Sequence, residues 1–382
     1  MKNGYYIFAY IEINKFANYY KTDTKRHDQN LSLWKYNNGN LSLVRYWELE
    51  RLSRIKHHNK AFSSEDQFKN LLKSLLDEFK LKLTDINEIF AYPYLNKKIE
   101  YIDKNYNYHS MCHLFSSLLL DTSIFYYEDI LAFSVDLESD YISEKKDSKK
   151  NDYVGCFSQK GKLSFFPIES PAPLWSAVSH DLKLGEGTLM ALSSALKTEF
   201  INNLDFSDER FFKYNYEKTI KTYQKIKELA SACNKDNVKT TLKNYNNKFS
   251  FDDNLKSAIM KVIQKISLST MERNVEYAIQ TFKINLKETI LAISGGFALN
   301  CPTNSSLLNS YKFKNFIAPP CVNDSGQSLG MALYHFYLNA RKQLKFSLDT
   351  AFYGKHYSTK NAINLYRNYI VSVNCSKVSS CE

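Results

Sequence analysis

Ile130-Leu-Ala-Phe-Ser-Val-Asp136 is an apolar run that ends on a carboxylate, and the order of segments after it decides the fold. A polar loop, Leu137–Asp152, leads into two strand-like runs, Val154–Ser158 and Leu163–Ile168, separated by Gln159-Lys-Gly161. The same order stands earlier in the chain. There the apolar strand Tyr5–Ile13 is followed by a polar loop, Lys15–Asn30, and by the runs Leu31–Tyr36 and Leu41–Tyr46 around Asn37-Asn-Gly-Asn40. An Asn-Gly pair supplies the positive φ of a tight hairpin turn, so the paired runs read as hairpins. The turns continue alike, Gly39-Asn-Leu-Ser42 against Gly161-Lys-Leu-Ser164.

Each copy then continues in the same way. In the first, Ser64-x-x-Gln67 is a capping box, and Phe68, Leu71, Leu72, Leu75, Leu76 and Phe79 share one helical face. A strand, Glu88–Tyr92, and a helix through His109–Leu120 come next. In the second, a long helical pattern covers about Asp253–Phe282. Then come a strand at Thr289–Ile293, a helix after Asn300, a strand at Phe313–Ala318 and a helix from about Asp324 to Arg341. A polar, helix-rich segment, Pro171–Asp252, interrupts the second copy and is expected to shape the mouth of a cleft. A repeated unit of this kind is either one plan used twice or two unrelated α/β domains. The order resembles ribonuclease-H-like lobes paired as in the actin-like ATPases. The expectation is therefore an α/β protein of actin-like ATPase (ASKHA) fold, two ribonuclease-H-like lobes around a central cleft. The lobes are 1–128 and 129–345, the latter with its insertion at 171–252, and a tail occupies 346–382.

Composition agrees with two units. The 382 residues exceed one ordinary core, and 44% hydrophobic content is enough to bury two. The formal net charge of +11 favours anionic partners such as phosphates or nucleotides. Lysines are interspersed with acids, and the densest run, Lys145-Lys-Asp-Ser-Lys-Lys150, reads as a solvated loop, so nucleic acid is not an expected partner. The seven cysteines, at 112, 156, 233, 301, 321, 375 and 381, are odd in number and include no C-x-x-C. That argues against a secreted disulfide framework and a cysteine-based zinc site. The apolar run Tyr5–Ile11 is short and meets Glu12 at once, and no run nears the ~20 apolar residues of a membrane span. A cytoplasmic protein with no membrane partner is expected.

Three motifs carry chemistry. Leu291-Ala-Ile-Ser-Gly-Gly-Phe-Ala-Leu-Asn-Cys-Pro-Thr-Asn304 is a buried strand running through two glycines into a helix. Such a turn lets a ligand touch the backbone at helix N–H groups. Pro319-Pro-Cys-Val-Asn-Asp-Ser-Gly-Gln-Ser-Leu-Gly330 ends a strand and opens a helix at Asn323-Asp-Ser325. His109-Ser-Met-Cys-His113 puts two imidazoles on one helical face, where they can share a metal. Read alone, each has a plainer account: a tight turn, an N-cap, a pair of surface histidines.

Together, their order and spacing resemble the O-carbamoyltransferase family of nodulation and antibiotic-tailoring enzymes, and more distantly the threonylcarbamoyl-transfer proteins that modify tRNA. The family's G-G-x-A-L-N-C-x-x-N is met by Gly295, Gly296, Ala298, Leu299, Asn300, Cys301 and Asn304. Its P-P-x-x-N-D-S-G-x-x-x-G is met by Pro319 through Gly330, and its H-x-x-x-H by His109 and His113. Arg26-His-Asp-Gln-Asn-Leu-Ser-Leu33 is similar to its H-D-x-S-A-x-L, and Glu50-Arg-Leu-Ser-Arg-Ile-Lys-His57 to its E-R-x-T-R-x-K-H. The resemblance implies a divalent metal, iron or zinc, on His109, His113 and Asp324. It implies nucleotide contacts from Asp136, Gly295, Gly296, Asn300 and Asn323, and catalytic roles for His27, Asp28 and Lys56. The implied reaction passes a carbamoyl group from ATP-derived carbamoyl-adenylate to a hydroxyl of a small-molecule acceptor, in secondary-metabolite biosynthesis.

The chain also departs from that pattern. The family loop D-G-x-G-D is here Asp136-Leu-Glu-Ser-Asp140, so both glycines that admit phosphate to backbone amides are replaced. Thr188 stands for the lysine of G-E-G-K, and Ser110 for a histidine. Tyr353-Gly-Lys-His-Tyr-Ser358 resembles the family's link to a C-terminal domain that makes carbamoyl-adenylate, after which the sequence reaches Glu382. A separate carbamoyl-adenylate-forming protein is thus an expected partner. The alternatives are a catalytically degenerate binding subunit, motivated by these losses, and tRNA threonylcarbamoyl transfer, motivated by the positive charge.

Overall fold

The structure is a computed structural model that describes residues 1–16, 26–95, 99–140, 149–202, 205–340 and 343–351. Most of the expected tail, the stretch 353–358 and the cysteines at 375 and 381 lie outside these residues.

The first hairpin is strands β2 (Asn30–Asn37) and β3 (Asn40–Glu48). It pairs antiparallel with β1 (Gly4–Tyr10), whose other edge pairs parallel with β4 (Ile86–Phe90). The sheet order is β3-β2-β1-β4. The second sheet repeats this order and adds one strand. β5 (Asp129–Ser134), β6 (Val154–Gln159) and β7 (Lys162–Pro167) form the antiparallel part, and β10 (Thr289–Ser294) and β11 (Asn315–Ile317) extend it in parallel. Its order is β11-β10-β5-β6-β7. One strand order used twice in one chain is the ribonuclease-H-like arrangement, and two such lobes make the actin-like ATPase fold.

Helix α1 (Glu65–Asp77) covers the outer face of the first sheet. Ser64 caps it by accepting from the Gln67 N–H at 3.1 Å, and Phe68, Leu72 and Leu76 are buried along its inner stripe. Two helices lie between the sheets: α2 (Tyr108–Leu118), and α8 (Gln327–Asn339) at the end of the second lobe's segment. Every residue of α2 from His109 to Leu118 is buried, as befits a helix with protein on all sides. α2 packs on the second sheet although its segment belongs to the first lobe, and α8 packs on β1 and β2. Gly330 permits the two helices to cross closely, because a Cβ there would lie 2.1 Å from the Cys112 carbonyl oxygen. This exchange of helices brings the start of α2 and the residues before α8 to one point.

The outer face of the second sheet carries the insertion. It contains α3 (Ala172–Leu182), α4 (Glu186–Ala195) and α5 (Tyr216–Ser231), with a small sheet of β8 (Glu199–Phe200) and β9 (Leu242–Lys243). The long α6 (Phe251–Phe282) comes next, then α7 (Cys301–Tyr311) after β10. The Trp175 Nε1–H donates to Ser267 Oγ at 2.9 Å, fixing α3 to α6. Among the described residues, no helix is long and apolar enough to cross a membrane.

Candidate metal centre and cleft

His109 and His113 lie one turn apart on α2 and present Nε2 in the same direction. Two carboxylates meet them. Asp136 Oδ2 lies 3.1 Å from each Nε2, and Asp324 Oδ1 lies 3.4 Å from His109 and 3.3 Å from His113. Asp136 comes directly after β5 and Asp324 precedes α8, so the cluster joins both lobes. His109 makes its polar contacts through Nε2, while its buried Nδ1 has no hydrogen-bond partner among the described residues.

The donor set fits a divalent cation. Bonds of about 2.1 Å give ligand–ligand edges of about 3.4 Å in a tetrahedral shell and about 3.0 Å in an octahedral one, for nitrogen and carboxylate donors. The four nitrogen–oxygen separations, 3.1 to 3.4 Å, span these values. Electrostatics point the same way. Burial alone would raise the Asp136 and Asp324 carboxyls, but the adjacent imidazoles outweigh it and hold both below the usual carboxylate range. Burial alone would lower His109, but Asp324 and Asp136 push it up to about 10. Without an ion the two imidazoles hold protons that offset the two carboxylates, and a divalent cation bound here would take the place of those protons.

The Gly-Gly turn serves this cluster directly. Gly295 has φ of 89°, and a Cβ there would lie 2.3 Å from the Val135 carbonyl oxygen. That close approach sets the Gly296 N–H on Asp136 Oδ1 at 3.2 Å, and the Leu137 N–H donates to the same oxygen at 2.8 Å. Oδ1 is thereby occupied and Oδ2 faces the histidines. Tyr10 does the same for Asp324, donating its hydroxyl to Oδ2 at 2.9 Å.

A cavity of about 740 Å³ opens beside the cluster. One side is apolar, with Leu137, Trp175, Met190, Phe297 and Leu299; the rest mixes carboxylates with histidines, serines and asparagines, and Lys and Arg do not occur among its described lining residues. His27, Asp28 and His57 face it from the first lobe. Asp28 accepts from His27 Nδ1 at 2.8 Å through Oδ2 and from His57 Nδ1 at 2.9 Å through Oδ1, which leaves the Nε2 atoms on the cavity side, that of His27 at 4.0 Å from Asp324 Oδ2. Asp28 and His57 both sit at positive φ, 54° and 60°, joined by a backbone hydrogen bond between them. The Asp28 hydrogen bond, with the nearby Asp324 and Asp136 charges, raises His27 to about 9.

The other sequence-derived residues divide. Asn300 and Asn323 line the cavity. Asn300 also caps α7, accepting from the Thr303 N–H at 3.0 Å. Lys56 is exposed and is absent from the described lining, whereas its neighbour His57 is present. Two residues were thus missed as cluster and cleft members: Asp136 as a fourth metal-facing donor, and His57. The E-R-x-T-R-x-K-H stretch ends on His57, and that terminal histidine was the available signal. For Asp136 the signal was its place directly after an apolar strand.

A family model described as carbamoyltransferase N-terminus matches residues 55–333. An uncharacterised protein of Synechocystis sp., sll1178, is 40% identical over 57 residues, which are 14% of this chain and 9% of that protein. The chain thus spans about a tenth of that relative's length. Among solved structures, the activator of the 2-hydroxyisocaproyl-CoA dehydratase from Clostridium difficile with bound ADPNP gives a TM-score of 0.44 at 12% identity, covering 87% of this chain and 95% of that one. Full-length HypF in its phosphate- and nucleotide-bound form gives 0.42 at 14% identity, covering 84% and 48%. The family match extends over well more than half of the sequence, across both lobes and the cluster between them, and the chain belongs to the carbamoyltransferase N-terminus family.

Proposed function

We propose that this chain transfers a carbamoyl group from carbamoyl-adenylate to a hydroxyl of a small-molecule acceptor, in secondary-metabolite biosynthesis. The observation that carries the reading is the convergence of His109, His113, Asp136 and Asp324 beside a cavity, in a chain of a carbamoyltransferase family. His109, His113, Asp136 and Asp324 would hold a divalent cation, iron or zinc, which would supply Lewis acidity towards the carbamoyl carbonyl.

The protein's own groups do the rest. The apolar wall of Trp175, Met190 and Leu299 takes the flat or aliphatic part of a ligand and excludes water from that side. Asp28 fixes both imidazoles, and an Nε2 of the pair receives the proton of the acceptor hydroxyl as its oxygen bonds to the carbamoyl carbon. The bond from that carbon to the adenylate phosphate oxygen breaks, and the adenylate leaves. Asp324 and Asp136 contribute to holding His27 at about 9, and their pull weakens when their charge is used in ligation. The donor is supplied by a separate carbamoyl-adenylate-forming protein.

The test is direct. Metal-loaded protein given synthetic carbamoyl-adenylate should bind it and carbamoylate hydroxyl acceptors, and chelation should stop both. Neither binding nor metal-dependent transfer to any acceptor in a broad panel would sink the proposal.

One observation favours a second reading, a non-catalytic partner subunit. The loop in which glycines are replaced is tied down by its own side chains. Ser139 Oγ accepts from Asn107 Nδ2 at 2.8 Å, and Asp140 is paired with Arg26. With the Leu137 N–H turned to Asp136, this loop offers less to a phosphate than a glycine loop does. Calorimetry with nucleotides discriminates the readings, because the subunit reading predicts no nucleotide binding.

A further inference from the structure

We propose that Asn30 is a positioning residue that holds Asp324 in register with the Asp28 imidazole pair. The inference rests on the reading of His109, His113, Asp136 and Asp324 as metal ligands.

Asn30 is completely buried. A carboxamide has two N–H donors and an oxygen that accepts, and here both donors and the oxygen are used. Nδ2 donates to the backbone carbonyl of Asp28 at 2.7 Å and to that of Asp324 at 2.8 Å. Oδ1 accepts the Ser328 N–H at 2.9 Å and lies 3.0 Å from the Tyr46 hydroxyl, whose one proton also faces the Ser325 carbonyl. Two carbonyls can only accept and a backbone N–H can only donate, so these partners fix which way the amide faces.

The partners divide between the two halves of the site. Asp28 and Tyr46 come from the first lobe, Asp324 from the turn that enters α8 and Ser328 from the first turn of α8 itself. Asp28 holds the two cleft imidazoles, and Asp324 faces His109 and His113. One planar group therefore sets the distance between the backbone of the imidazole holder and the backbone of a metal-facing carboxylate. In the H-D-x-S-A pattern that this stretch resembles, a serine stands at the position of Asn30. A single hydroxyl has one proton to give, so it cannot bridge both carbonyls.

The test uses the full chain, stripped of metal. Asn30→Asp keeps the shape and the accepting oxygen but removes both donors. Asn30→Ser, smaller and uncharged, carries the same expectation should Asn30→Asp not fold. Ser32→Ala is the control. It removes the bond from Ser32 Oγ to the Ser328 carbonyl at 2.9 Å, an equally buried link on the same strand that touches neither Asp28 nor Asp324.

Zinc affinity is measured by chelator competition, thermal midpoint alongside it, and amide exchange over 324–328 without metal. The Asn30 variant should bind zinc about 10- to 100-fold more weakly, the usual effect of losing an outer partner of a ligand. Its 324–328 amides should exchange faster, and Ser32→Ala should leave zinc affinity within about twofold, far below that outer-partner effect. Wild-type affinity in the Asn30 variant, or an equal loss in Ser32→Ala, overturns the inference. If the unaltered protein binds neither zinc nor iron, the metal reading falls by itself, and exchange decides. Unchanged exchange in the Asn30 variant then overturns the positioning role, and faster exchange upholds it.

Discussion

The Nε of Arg26 meets Oδ2 of Asp140 at 2.7 Å with both side chains buried, joining the residue before His27 to the loop that Asp136 begins. The same guanidinium donates through Nη1 to the Ile11 carbonyl and, at 3.0 Å, to the Tyr92 carbonyl. Its carbon lies 4.8 Å from the centre of the Tyr10 ring, whose hydroxyl holds Asp324. Arg26 thus ties the ends of two first-lobe strands to the second lobe at the floor of the cleft. Replacing Arg26 by Met should cost about 3–5 kcal/mol, because a buried carboxylate and two carbonyls lose their donor together. The double variant Arg26→Met, Asp140→Leu should recover much of that loss, since the charge to be satisfied is then gone. Denaturant midpoints for the three proteins check this, and an Arg26→Met protein as stable as the parent refutes it.

The four-donor cluster makes a prediction that separates Asp136 from a merely adjacent acid. Asp136→Ala and Asp324→Ala should weaken zinc binding to a similar degree. Each loss should exceed the roughly 10- to 100-fold expected for an outer partner. Competition titrations on metal-stripped protein measure this. Parental affinity in Asp136→Ala would return the cluster to the three residues named from sequence.

Gly330 tests how closely the two central helices must cross. A Cβ there would lie 2.1 Å from the Cys112 carbonyl oxygen, which belongs to the backbone and cannot rotate aside. Gly330→Ala should therefore push α8 away from α2 and destabilise the protein by about 1–3 kcal/mol, the range for overpacking. The same displacement separates Asp324 from His109 and His113, so zinc affinity should fall with stability. A Gly330→Ala protein with parental stability and affinity would show that the crossing is looser than the structure indicates.

What sequence conveyed about this molecule depended on whether the cause was local. The two hairpins were legible because Asn37–Asn40 and Gln159–Gly161 carry their turn chemistry within a few residues. The Ser64 cap was legible for the same reason, and His109 with His113 because one helical turn relates them. Asp136 was assigned to nucleotide, together with Gly295 and Gly296. The structure adds that the Gly296 N–H turns the Asp136 carboxylate, a relationship across two parallel strands. No spacing along the chain encodes it. β8 and β9 have two residues each, too short for an alternation to register. The packing of α2 on the second sheet and of α8 on the first is likewise a tertiary choice, because a helix buried all round has no stripe that names its partner.

His335 gives a pH dependence independent of the metal cluster. It sits in α8 with its ring 4.0 Å from that of Phe90 and 5.5 Å from that of Phe8. Partial burial in this aromatic surrounding, aided by the positive chain terminus, lowers its pKa from 6.5 to about 4. The folded protein therefore keeps the ring neutral in a range where the unfolded chain protonates it. Stability from this group is fully present above about pH 6.5 and is lost as pH falls towards 4, because the unfolded state binds the extra proton. The full shift corresponds to about 3 kcal/mol. Carboxylates also titrate in this window, so the parent should be compared with His335→Leu across pH 7 to 4. The variant should lose less stability than the parent as pH falls, with the difference between them closing by up to about 3 kcal/mol. Parallel stability curves for the two proteins would show that the ring is already solvated, and that burial does not hold it neutral.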